Sequence, residues 1–145
     1  MPVVGMILKN ITATKSEDVT GNIKVNNGTN IKEVKETDLT VLGKKGLAVT
    51  FEFRTSYETD RSKKPFAEIL FSGDVLLIEE NHKELLDGWK KNRKLPDKMN
   101  IAIINSVLRK CLTEGLVLSE KLNLPPPMVM PFATEKQPEE SRYIG

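Results

Sequence analysis

Alternation of apolar and polar side chains is clearest in the middle of the chain, where it predicts two long strands. Residues 47–57 place Leu47, Val49, Phe51, Phe53 and Tyr57 on one face. Residues 66–79 repeat the pattern, with one apolar side formed by Ala67, Ile69, Phe71, Val75 and Leu77. The short charged loop between them requires the two strands to pair antiparallel. Gly73, inside the second strand, predicts a bulge or a close approach of another backbone.

The first strand is predicted over Val3 to Thr14, a stretch rich in β-branched and apolar residues. Its alternation slips between Leu8 and Ile11, which indicates a β-bulge or a position at the edge of a sheet.

The region that follows is less regular. Polar residues 15–19 predict a crossing segment, and residues 23–25 alternate as a short second strand. Asn27 and Gly28 predict a turn, because both residues accept a positive φ. Residues 31–42 are ambiguous and are interpreted as an irregular strand.

Two helices follow the strands. The segment from His82 to Lys94 carries apolar Leu85, Leu86 and Trp89 and ends in basic residues, as a helix C-terminus favours. Asp97 opens a longer helix after Pro96, and three prolines at 125–127 stop it. The predicted core stripe of this long helix consists of Ile101, Ile104, Leu108, Cys111, Leu112, Leu118 and Leu122.

The long helix has more apolar surface than one stripe explains, since Ile103, Val107, Leu116 and Val117 widen it. A helix in a small domain normally buries only part of its circumference. We therefore expect the surplus to pack against a second copy of the chain. The predicted oligomer interface comprises Met6, Leu8, Ile103, Val107 and Val117.

The order β-β-β-β-α-α predicts an α+β fold. A length of 145 residues suits a single domain, assigned to residues 1–132. Polar residues 133–145 are expected to form a flexible C-terminal tail.

Composition and charge narrow the function. The net charge of +2, with both signs interspersed, gives no strong electrostatic indication of a partner. Cys111 is the single cysteine and is interpreted as a buried, inert thiol, and His82 as a surface residue at a helix start with a structural or incidental role. Nucleotide-binding motifs and ligand-spaced Cys/His pairs do not occur, so we expect no cofactor, no metal and no enzymatic activity. Without a signal peptide or a membrane-length apolar run, we expect a cytoplasmic protein with no membrane insertion.

Three segments carry a resemblance to a known family. Residues 6–13, Met-Ile-Leu-Lys-Asn-Ile-Thr-Ala, are similar to the first strand of the SecB-type protein-export chaperones. Residues 108–112, Leu-Arg-Lys-Cys-Leu, resemble its helical Ala-Arg-Glu-Cys-Ile, and residues 122–127, Leu-Asn-Leu-Pro-Pro-Pro, resemble its Leu-Asn-Leu-Ala-Pro-Val. The resemblance spans about residues 5–130. It implies a four-stranded antiparallel sheet followed by two helices packed on one face.

The resemblance also implies a function. SecB-like proteins assemble as homo-oligomers, commonly homotetramers, and hold unfolded polypeptides in apolar grooves without ATP. Some serve protein transport and others serve toxin–antitoxin systems. This chain departs from the family at Ala13, where an aromatic residue helps to line the groove, in its slight basic charge and in its tail. Docking to the same translocation motor is therefore not implied.

The predicted client-binding groove lies where the crossing segment and the end of the long helix would meet. Its residues are Ile11, Ala13, Ile23, Val25, Leu124, Met128, Met130 and Phe132. Two alternatives stay open. One is a non-enzymatic adaptor for one specific protein partner, and the other, less favoured, is nucleic-acid binding through Lys90, Lys91, Arg93 and Lys94.

Overall fold

A computed structural model of the chain describes residues 3–39 and 42–135. The elements are β1 (Val3–Lys15), β2 (Ile23–Leu39), β3 (Lys44–Thr59), β4 (Ser62–Leu77), α1 (His82–Asn92) and α2 (Asp97–Lys121). Residues 136–145, most of the predicted tail, lie outside the described part of the chain.

The strands form one sheet in the order β1-β4-β3-β2, and every neighbouring pair is antiparallel. β3 and β4 are the central pair, joined by a tight turn at Asp60 and Arg61. Their predicted apolar faces coincide, since Phe53 pairs with Phe71 and Leu47 with Leu77, and all four side chains are buried. Both helices follow the sheet, which confirms the predicted α+β fold.

β1 occupies one edge of the sheet and contains the irregularity that its sequence predicts. Its register with β4 shifts between Leu8 and Asn10, so Lys9 is the extra residue of a β-bulge. Gly73 lies opposite, and a Cβ there would overlap the carbonyl oxygen of Ile7. The predicted close approach at Gly73 is confirmed, and it explains why only glycine fits there.

β2 forms the opposite edge and corrects the predicted turn. Asn27 and Gly28 lie inside a continuous strand, where they pair with Thr55 and Arg54 of β3. The turn prediction is wrong because the long partner strand continues the ladder through both residues. Irregularity in β2 instead falls between Ile31 and Glu33, where the register shifts.

α2 packs on the sheet with a different face from the one predicted. Its buried residues are Met99, Ile103, Val107, Cys111, Gly115 and Ser119. Ile101, assigned to the core by its spacing, is 58% exposed. The helix approaches its neighbours closely at Gly115, where an added Cβ would lie 3.6 Å from Pro127 and 3.7 Å from Phe71. A pattern that scores only large apolar residues cannot detect a contact face built on glycine and serine.

Because α2 packs on the sheet with a different face, the oligomer-interface prediction is wrong for two residues. Ile103 and Val107 are fully buried inside one copy of the chain, so neither side chain is available to a second copy. Val117 is 53% exposed and remains on the outer face of α2 together with Ile101. Met6 and Leu8 are half-buried and pack against the core.

Candidate functional site

The segment after α2 returns across the helix-side face of the sheet, and we call residues 122–132 the C-terminal strap. Three side chains from three strands hold its backbone carbonyls. Lys15 of β1 donates from Nζ to Leu122 O at 2.7 Å, Tyr57 of β3 donates from its hydroxyl to Pro125 O at 2.8 Å, and Asn27 of β2 donates from Nδ2 to Pro127 O at 2.7 Å. Prolines have no amide hydrogen, so their carbonyls are the only backbone groups through which the sheet can hold this part of the strap.

Asn27 is itself held in place by a buried neighbour. The hydroxyl of Thr55, which is 1% exposed, donates to Asn27 Oδ1 at 2.7 Å. The amide group therefore accepts from the sheet on one side and donates to the strap on the other. This use explains the presence of Asn27 within a strand, where asparagine is otherwise disfavoured.

The strap is partly core and partly surface. Leu124 is buried at 7% exposure and belongs to the hydrophobic core, and Pro127 is also buried. Beyond Pro127 the side chains turn outward, and Val129 is 95% and Phe132 76% exposed. The strap therefore covers the end of the sheet with its first half and presents apolar side chains with its second half.

The structure brings together only part of the predicted groove. Ala13, Ile23 and Val25 are partly buried and pack against the same core that contains Leu124. Ile11 shares a sheet face with Phe71 and Phe53 by register but is half exposed at the β1 edge. Met128, Met130 and Phe132 lie exposed on the strap. Leu124 and Pro127 are buried within one copy of the chain, so neither lines an open groove.

Sequence reasoning missed the residues that hold the strap. Lys15, Asn27 and Tyr57 each contact a position 68 to 107 residues away along the chain. No local pattern reports such contacts. The one available signal is indirect, since a run of prolines after a helix has to satisfy its carbonyls with donors from elsewhere.

Burial and charge set the electrostatics of the strap contacts. Burial raises the pKa of the Tyr57 hydroxyl to about 12, against a smaller opposing effect of its hydrogen bond with Ser119, so it remains a proton donor at neutral pH. Lys15 also pairs with Asp18 at 2.6 Å, and the hydrogen bond from Lys15 lowers the pKa of that exposed carboxyl.

The opposite face of the sheet has an ion pair between buried Asp74 and exposed Lys9. Asp74 is 5% exposed, accepts from the Thr50 hydroxyl at 2.8 Å, and lies 2.7 Å from Lys9 Nζ. Burial alone raises the pKa of Asp74, but the hydrogen bonds from Lys9 and Thr50 and the charges of Lys9 and Lys35 outweigh it and hold the pKa below its usual value. The bulge residue Lys9 thus fixes the edge strand to the centre of the sheet.

His82 and Cys111, the two residues considered for reactivity in the sequence, both lie in structural positions. His82 Nε2 lies 3.3 Å from Glu36 Oε2 without the alignment of a hydrogen bond, so the start of α1 is next to β2. Cys111 is fully buried, and burial raises the pKa of its thiol to about 12. Within residues 3–39 and 42–135, no group of three or more His, Cys, Asp or Glu side chains is arranged to hold a metal ion. None of the helices described is long and apolar enough to cross a membrane.

A bulged edge strand, an antiparallel four-stranded sheet and two C-terminal helices together form the SecB-like fold. A solved SecB-like chaperone of Mycobacterium tuberculosis, in complex with a ChAD peptide from the HigA1 antitoxin, matches 93% of this chain and 91% of its own, with a TM-score of 0.53 and 11% identity. At that identity the match shows the fold, and it confirms the distant SecB-like resemblance seen in the sequence. No protein-family model matches the sequence, and no curated protein matches it either.

Proposed function

We propose that this protein is an ATP-independent, non-enzymatic chaperone that holds unfolded or extended polypeptides on apolar surface beside the C-terminal strap. The observation that carries the proposal is the row of exposed apolar side chains on the second half of the strap, from Met128 to Phe132. Large exposed apolar surface on a charged, mixed-sign protein marks a site for a partner. The SecB-like fold supports the same reading, and the matching mycobacterial protein was solved with a peptide bound.

The strap and the sheet edge beside it would contact a client through different groups. The strap residues Met130 and Phe132 present apolar side chains. The strap reaches β2 at Asn27, and β2 is an edge strand, so its outer backbone groups can pair with an extended chain by adding a strand to the sheet. A client bound in this way is selected for extension and apolar content rather than for one sequence.

An aggregation assay tests the proposal. A chemically denatured client is diluted into buffer without nucleotide, and light scattering is followed with increasing amounts of the protein. We expect substoichiometric protein to suppress scattering, and Phe132→Asp, which alters an exposed side chain, to weaken the suppression. No suppression at several-fold excess of the unaltered protein contradicts the proposal and leaves the fold as it stands.

The matched control is Leu42→Asp. Leu42 is an exposed apolar residue of similar kind, 51% exposed, and it lies at the β2–β3 connection at the other end of the sheet from the strap. We expect Leu42→Asp to leave suppression unchanged. Equal effects of the two substitutions would show that general surface hydrophobicity, rather than the strap, captures the client.

We further propose that the protein acts as a cytoplasmic homo-oligomer. The outer face of α2 exposes Ile101 and Val117, and β1 exposes Val4 and Ile7. Covering these apolar side chains in an interface removes them from water. Size-exclusion chromatography with light scattering should give a mass above the 16.3 kDa of one chain, and Val117→Glu should shift it toward the monomer. A clean monomer of the unaltered protein contradicts this part of the proposal.

A second candidate function is an adaptor for one specific protein. It is favoured by the matching structure, whose bound peptide comes from a single antitoxin. An affinity capture that recovers one partner, combined with no binding of unfolded chains, would favour the adaptor over the general chaperone.

A further inference from the structure

A cavity of about 450 Å³ lies between β2, the end of α1 and the first turns of α2. Its apolar wall includes Ile31, Trp89 and Ile104. Arg93 and Lys94 line it at the α1 end, and Asp97 lines it where α2 begins. β2 borders this cavity as an edge strand whose outer side pairs with no strand in the described part of the chain.

Arg93 is held in position at the cavity. Its backbone adopts a left-handed conformation with φ of 56° and closes α1 by donating to Trp89 O at 2.8 Å. Its guanidinium carbon lies 5.6 Å from the centre of the Trp89 ring, within cation–π distance. The cation is therefore placed before any ligand arrives, which lowers the entropy lost on binding an anion.

The basic side chains of the cavity lining, Arg93 and Lys94, outnumber its one acidic residue, Asp97. Lys90, Lys91, Arg93 and Lys94 are all exposed, and none forms an ion pair with a carboxylate among the described residues. The dipole of α1 accounts for Lys90 and Lys91, which lie in its last turn. Arg93 and Lys94 follow the helix, where the same dipole also favours basic residues, and they differ from Lys90 and Lys91 in lining the cavity.

We propose that this cavity binds an acidic side chain of an extended polypeptide lying along the outer edge of β2. The carboxylate contacts Arg93 and Lys94, and a neighbouring apolar side chain packs against Trp89 and Ile104. The inference rests on the proposed chaperone function and adds a substrate class to it: apolar segments that carry Asp or Glu. A peptide fits better than a nucleic acid, because the strand edge offers backbone hydrogen-bonding groups and the wall is apolar.

Trp89 makes the site testable, since it is the single tryptophan of the chain and lines the cavity. Three nine-residue apolar peptides that differ only at the central position, Asp, Asn or Lys, are titrated while Trp89 fluorescence is followed. Two partly screened ion pairs predict that the Asp peptide binds about tenfold more tightly than the Asn peptide at low salt. We expect the Lys peptide to bind most weakly, and the advantage of Asp to shrink as salt is added.

Two double substitutions test which basic residues produce the preference for the Asp peptide. Arg93→Gln with Lys94→Gln should abolish the preference for Asp over Asn. Lys90→Gln with Lys91→Gln removes the same formal charge from the same helix end, outside the cavity lining, and should retain the preference. Loss of the preference in both double variants would indicate that the general positive potential of this surface, rather than Arg93 and Lys94, attracts the peptide. That result would overturn the proposed site.

The remaining outcomes separate this inference from the proposed function. Equal affinity for the Asp and Asn peptides overturns the acidic site while polypeptide binding survives. Absence of binding by all three peptides overturns the site, and the proposed function fails with it if aggregation is not suppressed. A single-stranded RNA oligonucleotide that displaces the Asp peptide at lower concentration than unlabelled peptide assigns the basic cavity to nucleic acid instead.

Discussion

Removing one oxygen atom from Tyr57 tests how much the sheet contributes to holding the strap. Tyr57 is fully buried, and its hydroxyl donates to Pro125 O at 2.8 Å. Tyr57→Phe keeps the ring and its packing against Phe66, whose ring centre is 6.5 Å away. The substitution therefore removes only the hydroxyl, with its hydrogen bond to Pro125 O and its interaction with Ser119.

The magnitude follows from burial. A net hydrogen bond contributes about 0.5–1.5 kcal/mol, and a carbonyl left without its donor in a partly buried site adds to the loss. We expect Tyr57→Phe to lower the free energy of unfolding by about 1.5 kcal/mol. With a urea m-value of about 2 kcal/mol per molar, the unfolding midpoint falls by roughly 0.7 M.

Urea unfolding followed by the fluorescence of buried Trp89 is the assay, with Thr113→Val as the matched control. Thr113 donates to Arg109 O at 2.7 Å, nearly the same distance, but on the exposed surface of α2. We expect this control to stay within about 0.5 kcal/mol of the unaltered protein. The reasoning is refuted if Tyr57→Phe shifts the midpoint no more than Thr113→Val does.

Three further predictions concern the sheet and the core. Gly73→Ala should lower the free energy of unfolding in urea by at least about 2 kcal/mol, because the added Cβ overlaps the β1 backbone. Gly28→Ala is the control, since its Cβ meets open space and should leave stability nearly unchanged. Similar losses for both variants would contradict the close approach at Gly73. The pKa of Asp74 is lowered in the fold, so its ionised form stabilises the protein at pH values above the unfolded pKa of about 3.9. This stabilisation is lost as the pH falls through the lower folded pKa. Asp74→Asn should therefore make the free energy of unfolding depend less on pH in the acid range. An unchanged acid profile would show that Asp74 and Lys9 are not coupled to folding. Cys111, with its pKa raised to about 12, should react with a disulfide reagent at pH 8 only as fast as the protein unfolds; rapid reaction of the native protein would contradict its burial.

The central strands were predictable because each carries a local two-residue period. β3 and β4 alternate over their length, and the register observed between them places both apolar faces together. The bulge in β1 was also visible, since an extra residue at Lys9 has to interrupt the alternation. Local patterns therefore defined the fold class and the edge strand.

The orientation of α2 was not predictable from its own sequence. Gly115 and Ser119 occupy the contact face because the strap and the sheet come close there, and that proximity is created by residues elsewhere in the chain. The Ser119 hydroxyl satisfies itself by donating to Leu116 O at 2.8 Å, so a polar residue can be buried on this face. As a result, Ile101 lies on the exposed face of the helix.

The candidate site was found only in outline. Met128, Met130 and Phe132 stood out as apolar residues after a proline run, but Lys15 and Asn27, which hold the strap at Leu122 and Pro127, did not. Asn27 followed by Gly28 is a sequence typical of a turn. Pairing with β3 instead places Asn27 within a strand, where its side-chain amide can donate to the strap. Long-range hydrogen bonds leave no periodic signal in a sequence.

Capture of an unfolded chain in the absence of nucleotide is the central claim, and sedimentation velocity tests it most directly. The protein is mixed with a polypeptide that is kept permanently unfolded by reduction and alkylation, and separately with the native form of the same polypeptide. We predict a faster co-sedimenting species with the unfolded form only. Co-sedimentation with neither form, or with both equally, would contradict the account.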